Sequence, residues 1–139
     1  MLYGIRCLFI LTFYARPSST FAHSIDLCDN ELSGTIPTEL VQLTSLTNLF
    51  LNRNKDLTGP IPSQLGQLTA LKLLYLNNNS LTGSIPSELA RLISLKRLKL
   101  QKNDLIGPIP DGVCDLTSLV FADCDICQPG CCHSCVNRN

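Results

Sequence analysis

Several residue types that mark common protein classes are scarce or missing in this chain of 139 residues. It has no tryptophan and only two histidines, which lie at opposite ends of the sequence. No serine or cysteine stands with a matching base and no glycine-rich phosphate-binding loop is present, so we expect neither enzymatic activity nor a cofactor. Eleven basic residues balance eleven acidic ones, which argues against a nucleic-acid partner. No run approaches the roughly 20 apolar residues of a membrane span.

Leucine, by contrast, is abundant and recurs at fixed intervals. The phrase Leu-x-Gly-x-Ile-Pro occurs four times, and its glycines, Gly34, Gly59, Gly83 and Gly107, are 25, 24 and 24 residues apart. A repeat of this length predicts a solenoid, because a single coil cannot bury its own apolar side chains and must stack on its neighbours. Three copies are well formed, with degraded ones at each end. Such a fold generally recognises a partner and does not transform a substrate.

Each copy of the repeat predicts the course of one coil. Leu74 and Leu76 are two residues apart, as in a short strand with one buried face, whereas leucines at every third position from Leu89 to Leu95 suit a 3₁₀-like return arm. The asparagine after the strand, such as Asn79, is expected to point inward and to bond main-chain groups of neighbouring coils. Lys55 is one extra residue in its copy, and we expect it to bulge the turn without moving the coil.

The complete pattern, LxxLxxLxLxxNxLxGxIPxxLxxL over roughly residues 24 to 124, resembles the plant-type leucine-rich repeat of extracellular receptor ectodomains and small secreted proteins of plants and algae. The resemblance implies an α/β solenoid, a right-handed superhelix with a parallel concave β-sheet and an irregular, 3₁₀-containing convex side. It also implies binding of a protein or peptide ligand through the concave face, in signalling, defence or enzyme inhibition. The alternative is a structural or adhesive module of the cell surface or matrix, or a fragment of a receptor-kinase ectodomain.

The two ends of the chain predict an extracellular protein. Residues 1–22 have the features of a signal peptide, with an apolar core from Cys7 to Tyr14 and small residues before a cleavage site after Ala22. Residues 23–113 then hold the repeats, and residues 114–139 form a cysteine-rich C-terminal cap. We therefore expect secretion to the cell surface or wall. A fragment of a larger ectodomain, or a spurious start, is the alternative interpretation.

Most of the cysteines belong to the predicted cap and not to the repeat. Three disulfide bonds among them would close the exposed end of the solenoid, although the sequence does not select their pairing. A zinc site at Cys124-x-x-Cys127 and Cys132-x-x-Cys135 is the competing interpretation, but the four residues between these pairs are too few for the usual spacing, so we expect no metal. Cys28 is left without an internal partner if Cys7 is cleaved off, and it is a candidate for a bond between chains. The predicted disulfide residues are Cys114, Cys124, Cys127, Cys131, Cys132 and Cys135.

The predicted binding residues alternate with the buried leucines and face the concave side. We expect Phe50, Tyr75, Lys99 and Asp123 to form one row across the strands, with Ala122 and Cys124 taking the inward positions of the last coil. Exposed aromatic and arginine side chains are typical interface anchors; alternatively, the aromatic residues only favour a strand and Lys99 only neutralises Asp123. Asn78-Asn79-Ser80 is a glycosylation motif that places a glycan on Asn78. The candidate partner-binding residues are Phe50, Asn52, Leu73, Tyr75, Asn77, Arg97, Lys99, Gln101, Phe121 and Asp123.

Overall fold

The computed structural model describes residues 23–116 and 119–137. The predicted signal peptide and Cys7 lie outside the described residues. Within those ranges the strands are β1 (Ser24–Asp26), β2 (Ser33–Thr35), β3 (Asn48–Phe50), β4 (Asn54–Pro60), β5 (Leu73–Tyr75), β6 (Asn79–Ser84), β7 (Arg97–Lys99), β8 (Asp104–Ile106), β9 (Val120–Asp123) and β10 (Ser134–Val136). Three 3₁₀ helices, η1 (Thr38–Gln42), η2 (Ser63–Gln67) and η3 (Ser87–Arg91), and one α-helix, α1 (Asp111–Cys114), complete the described elements. No helix in these ranges has the length and apolar character needed to cross a membrane.

The strands form two parallel sheets, and the fold is the predicted α/β solenoid. One sheet has six strands in the order β1-β3-β5-β7-β9-β10, and the other has four in the order β2-β4-β6-β8. Consecutive strands of the first sheet come from consecutive coils, with Leu49 opposite Leu74 and Leu74 opposite Leu98. The 3₁₀ helices occupy the return arms, as the three-residue leucine spacing predicted. The second sheet was not predicted. The sequence indicates only an extended segment around each repeated glycine, and this segment becomes a strand when it pairs with the same segment of the next coil.

Leucines and asparagines hold the coils together. Leu49, Leu74 and Leu98 are fully buried in one continuous core. Burial of a leucine side chain is worth about 1.5–3 kcal/mol. Asn79 is also buried, and its side-chain amide donates to Leu51 O at 3.0 Å and Leu76 O at 2.7 Å. Its Oδ1 accepts a bond from Asn54 N at 2.7 Å. The predicted inward role of this asparagine is confirmed.

The extra residue Lys55 produces a local bulge. Strand β4 pairs with β6 on both sides of the insertion, but the register shifts between Asn54 and Thr58. The hydroxyl of Ser80 donates to Lys55 O at 2.7 Å, which ties the bulge to the next coil. The pairing of β3 with β5 continues without interruption. The insertion therefore leaves its coil in place, as expected.

The last coil differs from its prediction by two residues. Val120 lies opposite Leu98 and Phe121 lies opposite Lys99, so Val120 and Ala122 take the inward positions expected for Ala122 and Cys124. From Pro86 to Leu98 the chain takes 12 steps (98 − 86), whereas from Pro110 to Val120 it takes 10 (120 − 110). This return arm carries α1 in place of a 3₁₀ helix. Alignment by the repeat period could not show that the arm is shorter.

Asp123 is consequently buried and is not exposed on the concave face, so its predicted place in the binding row is wrong. Its exposed fraction is 0%. Its carboxylate accepts bonds from Lys102 N at 2.7 Å and from Asn103 N at 3.4 Å. Two coils earlier, the side chain of Asn79 accepts a bond from Asn54 N in the same way. A side chain with two acceptor oxygens suits this position because two main-chain N–H groups donate to it.

The cap is built on disulfide bonds and adds a strand to the concave sheet. The pairs are Cys114–Cys131, Cys124–Cys135 and Cys127–Cys132, so all six predicted cysteines are bonded and none is available as a thiolate metal ligand. Strand β10 runs parallel to β9, with Ser134 opposite Phe121. Ile126 is buried beneath the cap. The cap therefore closes the core and lengthens the sheet at the same time.

Candidate functional site

A row of rings crosses the middle of the concave face; we call Phe50, Tyr75, Lys99 and Phe121 the central row. They lie opposite one another on β3, β5, β7 and β9, and each is half-buried. The rings of Phe50 and Tyr75 are 4.9 Å apart, and Lys99 Nζ lies 4.3 Å from the Tyr75 ring centre. The same ammonium group is 5.9 Å from the Phe121 ring. The cation therefore bridges two aromatic groups.

His133 of the cap contacts the end of the central row, although it is not among the predicted site residues. The His133 ring meets Phe121 edge-on at 5.7 Å between centres, and its main-chain N donates to Val120 O at 2.8 Å. The side chain is exposed. His133 lies one residue before β10, and this position is the only sign in the sequence that its ring could reach the concave face. Strand β10 itself could not be recognised without knowledge of the disulfide pairing.

A second row lies on the N-terminal side of the central row and contains Leu73 and Arg97, which are opposite each other. Arg97 Nη1 donates to Tyr75 Oη at 3.2 Å, so the guanidinium group is held beside the rings. Its Nε is buried and has no hydrogen-bond partner among the described residues. The guanidinium group thus retains an unused donor within the face.

A third row, the amide row, lies at the C-terminal ends of the same strands and contains Asn52, Asn77 and Gln101. Asn77 is 9% exposed, and its Oδ1 is buried without a hydrogen-bond partner in the described part of the chain. Gln101 Oε1 is also buried and has no hydrogen-bond partner among the described residues. Buried polar atoms are almost always paired, and an unpaired one costs about 1–3 kcal/mol. A rotation of each side chain would bring its amide oxygen to the surface, where a ligand that donates a hydrogen bond would remove that cost.

Nine of the ten predicted residues therefore share one face, and Asp123 does not. Asp123 is excluded because it is buried. The binding role of the nine remaining residues stays a prediction. Asn78 is half-buried beside the amide row, and its glycosylation also stays a prediction.

The first coil carries a free thiol in place of an amide. Cys28 is the free cysteine of the described residues, and it is half-buried. A hydrogen bond to Asp26 raises the pKa of the Cys28 thiol, and burial adds to the effect. The same side-chain bond, with a second from Cys28 N, lowers the pKa of Asp26. This coil therefore presents a protonated thiol at neutral pH.

The family model described as Leucine Rich Repeat matches residues 23–43, 70–92 and 94–116. A comparison with characterised protein sequences finds no match. Among solved structures, the PEPR1–AtPEP1 complex is similar to the chain, with a TM-score of 0.70 and 37% identity over 76% of this chain and 15% of that one.

Two further structures show similar agreement. The ectodomain of the receptor kinase GASSHO1/SCHENGEN3 from Arabidopsis thaliana, in complex with CASPARIAN STRIP INTEGRITY FACTOR 2, has a TM-score of 0.68 and 36% identity over 78% of this chain and 14% of that one. A plant ice-binding protein has a TM-score of 0.67 and 34% identity over 76% of this chain and 34% of its own. The chain thus spans only a small part of the length of each. The repeat, the parallel solenoid and these likenesses show that the chain belongs to the plant-type, extracellular leucine-rich repeat family.

Proposed function

We propose that this protein binds a peptide, or an extended segment of a protein, outside the cell through its concave face. The observation that carries the proposal is the set of three buried, unpaired polar atoms, Asn77 Oδ1, Gln101 Oε1 and Arg97 Nε, beside the half-exposed central row. Folding normally leaves few such atoms. Their concentration on the face that also presents the rings supports a ligand that bonds to them.

The three rows would make different kinds of contact with the ligand. Tyr75 and Phe50 offer apolar ring surface, which commonly supplies the largest share of interface energy. The amide oxygens of Asn77 and Gln101 would accept bonds from main-chain N–H groups, which an extended segment leaves unpaired. Arg97 and Lys99 would favour a ligand with negative charge near the rings.

The similar structures support a peptide ligand but do not decide it. PEPR1 and GASSHO1/SCHENGEN3 were each solved in complex with a partner, AtPEP1 and CASPARIAN STRIP INTEGRITY FACTOR 2 respectively. The third similar protein is described as ice-binding, so this architecture alone does not determine a ligand. The proposal therefore depends on the side chains of the face. The three disulfide bonds support an extracellular, oxidising setting.

The test begins with a random peptide library displayed on phage and selected on the immobilised protein. The affinity of enriched synthetic peptides is then measured by calorimetry for the wild type and for the double variant Tyr75→Ala/Arg97→Ala. We expect about a 30-fold loss of affinity, the effect of removing one or two hot-spot side chains. The melting temperature should change little, because both side chains are only half-buried.

The matched control is Ile93→Ala/Arg91→Ala. These two residues are exposed on the convex side, and their truncation removes the same charge and a similar apolar group. We expect the control to bind like the wild type. Equal losses in both double variants, or none in either, would show that the ligand does not use the concave face.

A further inference from the structure

A recess lies at the rim of the solenoid, next to the amide row. It has a volume of about 470 Å³ and contains three basic side chains against one acidic side chain. We call it the rim recess; it is lined by Asp29, Arg53, Lys55, Asn78, Asn79 and Lys102. The overall charge of the chain is balanced, so this local excess of positive charge could not be recognised from composition.

A repeated backbone turn and one insertion together form the rim recess. Asp29, Arg53, Asn78 and Lys102 occupy the same position in successive coils, and their φ angles of 57°, 62°, 58° and 60° lie in the left-handed region. This conformation is uncommon for residues other than glycine. It places the four side chains in line along the rim. Lys55, the inserted residue, adds a cation that no other copy of the repeat supplies.

The cations of the recess are incompletely neutralised. Asp29 Oδ2 accepts one bond from Arg53 Nη1 at 3.3 Å. The side chain of Arg53 is 62% exposed and that of Asp29 is 69% exposed, so their attraction is weak. Lys55 and Lys102 are exposed and form no ion pair within the described ranges. Asp56 and Asp104 are close to them in sequence, but neither carboxylate lines the recess. Two ammonium groups and most of a guanidinium fork thus remain free to bind an anion.

The rim recess is continuous with the proposed binding face. Arg53 follows Asn52, Asn78 follows Asn77, and Lys102 follows Gln101 in the sequence. Insertions in repeat proteins commonly map to the side that binds. A ligand that crosses the amide row would therefore meet these cations at the strand ends.

We infer that the rim recess binds carboxylate side chains of an acidic segment in the peptide or protein partner, through Arg53, Lys55 and Lys102. This inference rests on the proposed function and specifies the chemistry of its ligand. The bond is reversible and charge-assisted, so it weakens as added salt screens the exposed charges.

The test measures binding of an acetylated hexaglutamate peptide to the folded protein by calorimetry at low ionic strength. The variant Lys55→Ser/Lys102→Ser removes two cations from the recess. Its matched control, Lys72→Ser/Arg91→Ser, removes two exposed cations elsewhere and so has the same net charge. We expect about a tenfold loss of affinity in the recess variant and a loss of less than twofold in the control. The reason is that charges in direct contact with the peptide attract it more strongly than exposed charges elsewhere on the surface.

Three results would overturn the inference. They are the absence of binding to hexaglutamate, equal losses in the recess variant and its control, and equal binding of hexaglutamine. Binding of a uronate oligosaccharide through the same lysines, with none of hexaglutamate, would assign the recess to a carbohydrate and would also overturn it. The Tyr75→Ala/Arg97→Ala variant separates the two proposals. If this variant binds every selected peptide like the wild type, the concave-face proposal is wrong. If its binding of hexaglutamate is still lost when Lys55 and Lys102 are also replaced, the inference about the rim recess stands.

Discussion

The repeat body and the cap contribute strands to the same concave sheet, but they are stabilised by different means. In the body, leucines such as Leu74 are fully buried, and asparagines such as Asn79 satisfy the main chain of two coils. In the cap, three disulfide bonds join a segment with few large buried side chains. The comparison shows that covalent bonds replace the apolar core where the repeat stops.

The largest expected effect comes from removal of a cap disulfide bond. The Cys114–Cys131 bond spans 17 residues, the longest separation of the three. Replacing both residues by serine should lower the free energy of unfolding by about 3 kcal/mol, because the unfolded chain gains conformational freedom. Urea denaturation followed by circular dichroism measures the change. Cys28→Ser is the control and should unfold like the wild type, since Cys28 is not bonded to another cysteine; an unshifted midpoint for the double serine variant would show that the cap does not depend on this bond.

The next effect in size compares the inner coils with the last coil, against which the cap is built, through one glycine in each. A Cβ atom on Gly66 in η2 would lie 2.2 Å from Glu88 O of the next coil, whereas one on Gly112 in α1 would lie 3.0 Å from Ala90 Cβ. A main-chain oxygen cannot move away without shifting the coil. We expect Gly66→Ala to cost about 2 kcal/mol through overpacking. Gly112→Ala should be close to neutral, because a better helix former offsets a tight contact.

Thermal or urea denaturation of the two alanine variants gives the measurement, and each serves as the control for the other. Similar losses would mean that two inner coils can separate as easily as α1 in the last coil can adjust. That result would remove the distinction between closely stacked inner coils and a more tolerant last coil next to the cap.

The smallest expected effect is a change in the reaction rate of Cys28. The hydrogen bond to Asp26 raises the pKa of the thiol, so the folded protein binds the thiol proton more tightly than the unfolded chain does. The resulting stabilisation is present below the unfolded pKa and is lost as the pH rises through the folded pKa. We expect slow alkylation by iodoacetamide near pH 8 and a several-fold faster reaction in Asp26→Ala, because the thiolate is the reactive form.

Asp29→Ala is the matched control for this rate. Asp29 also raises the pKa of Cys28, but through a smaller charge effect, so its removal should accelerate the reaction less. If Asp29→Ala reacts faster than Asp26→Ala, the hydrogen bond is not the dominant cause. Disulfide-linked dimers of the wild type that Cys28→Ser abolishes would instead favour the adhesive alternative.

The body could be predicted from the sequence because its copies support one another. Comparison with equivalent residues in neighbouring copies predicted the buried side of Leu74, the inward direction of Asn79 and the bulge at Lys55. The solenoid, the parallel concave sheet and the 3₁₀ return arms followed from that comparison. Eight residues of the candidate face, all of those predicted except Phe121 and Asp123, could be placed for the same reason.

The cap could not be predicted in the same way. It occurs once, so no second copy shows that its return arm is two residues shorter or that Phe121 lies opposite Lys99. Asp123 was assigned to the surface on the repeat spacing, whereas its carboxylate is held by main-chain donors of the preceding coil. His133 and β10 depend on a disulfide pairing that spacing leaves open. The rim recess depends on side chains from several coils meeting in space.

The insertion at Lys55 has a consequence for how a ligand is aligned. A solenoid is almost symmetric under translation by one coil, so an extended ligand could slide along it and make nearly equivalent contacts at each step. The bulge between Asn54 and Thr58 breaks that symmetry within the row of coils. A ligand that contacts Lys55 therefore has one preferred position along the protein.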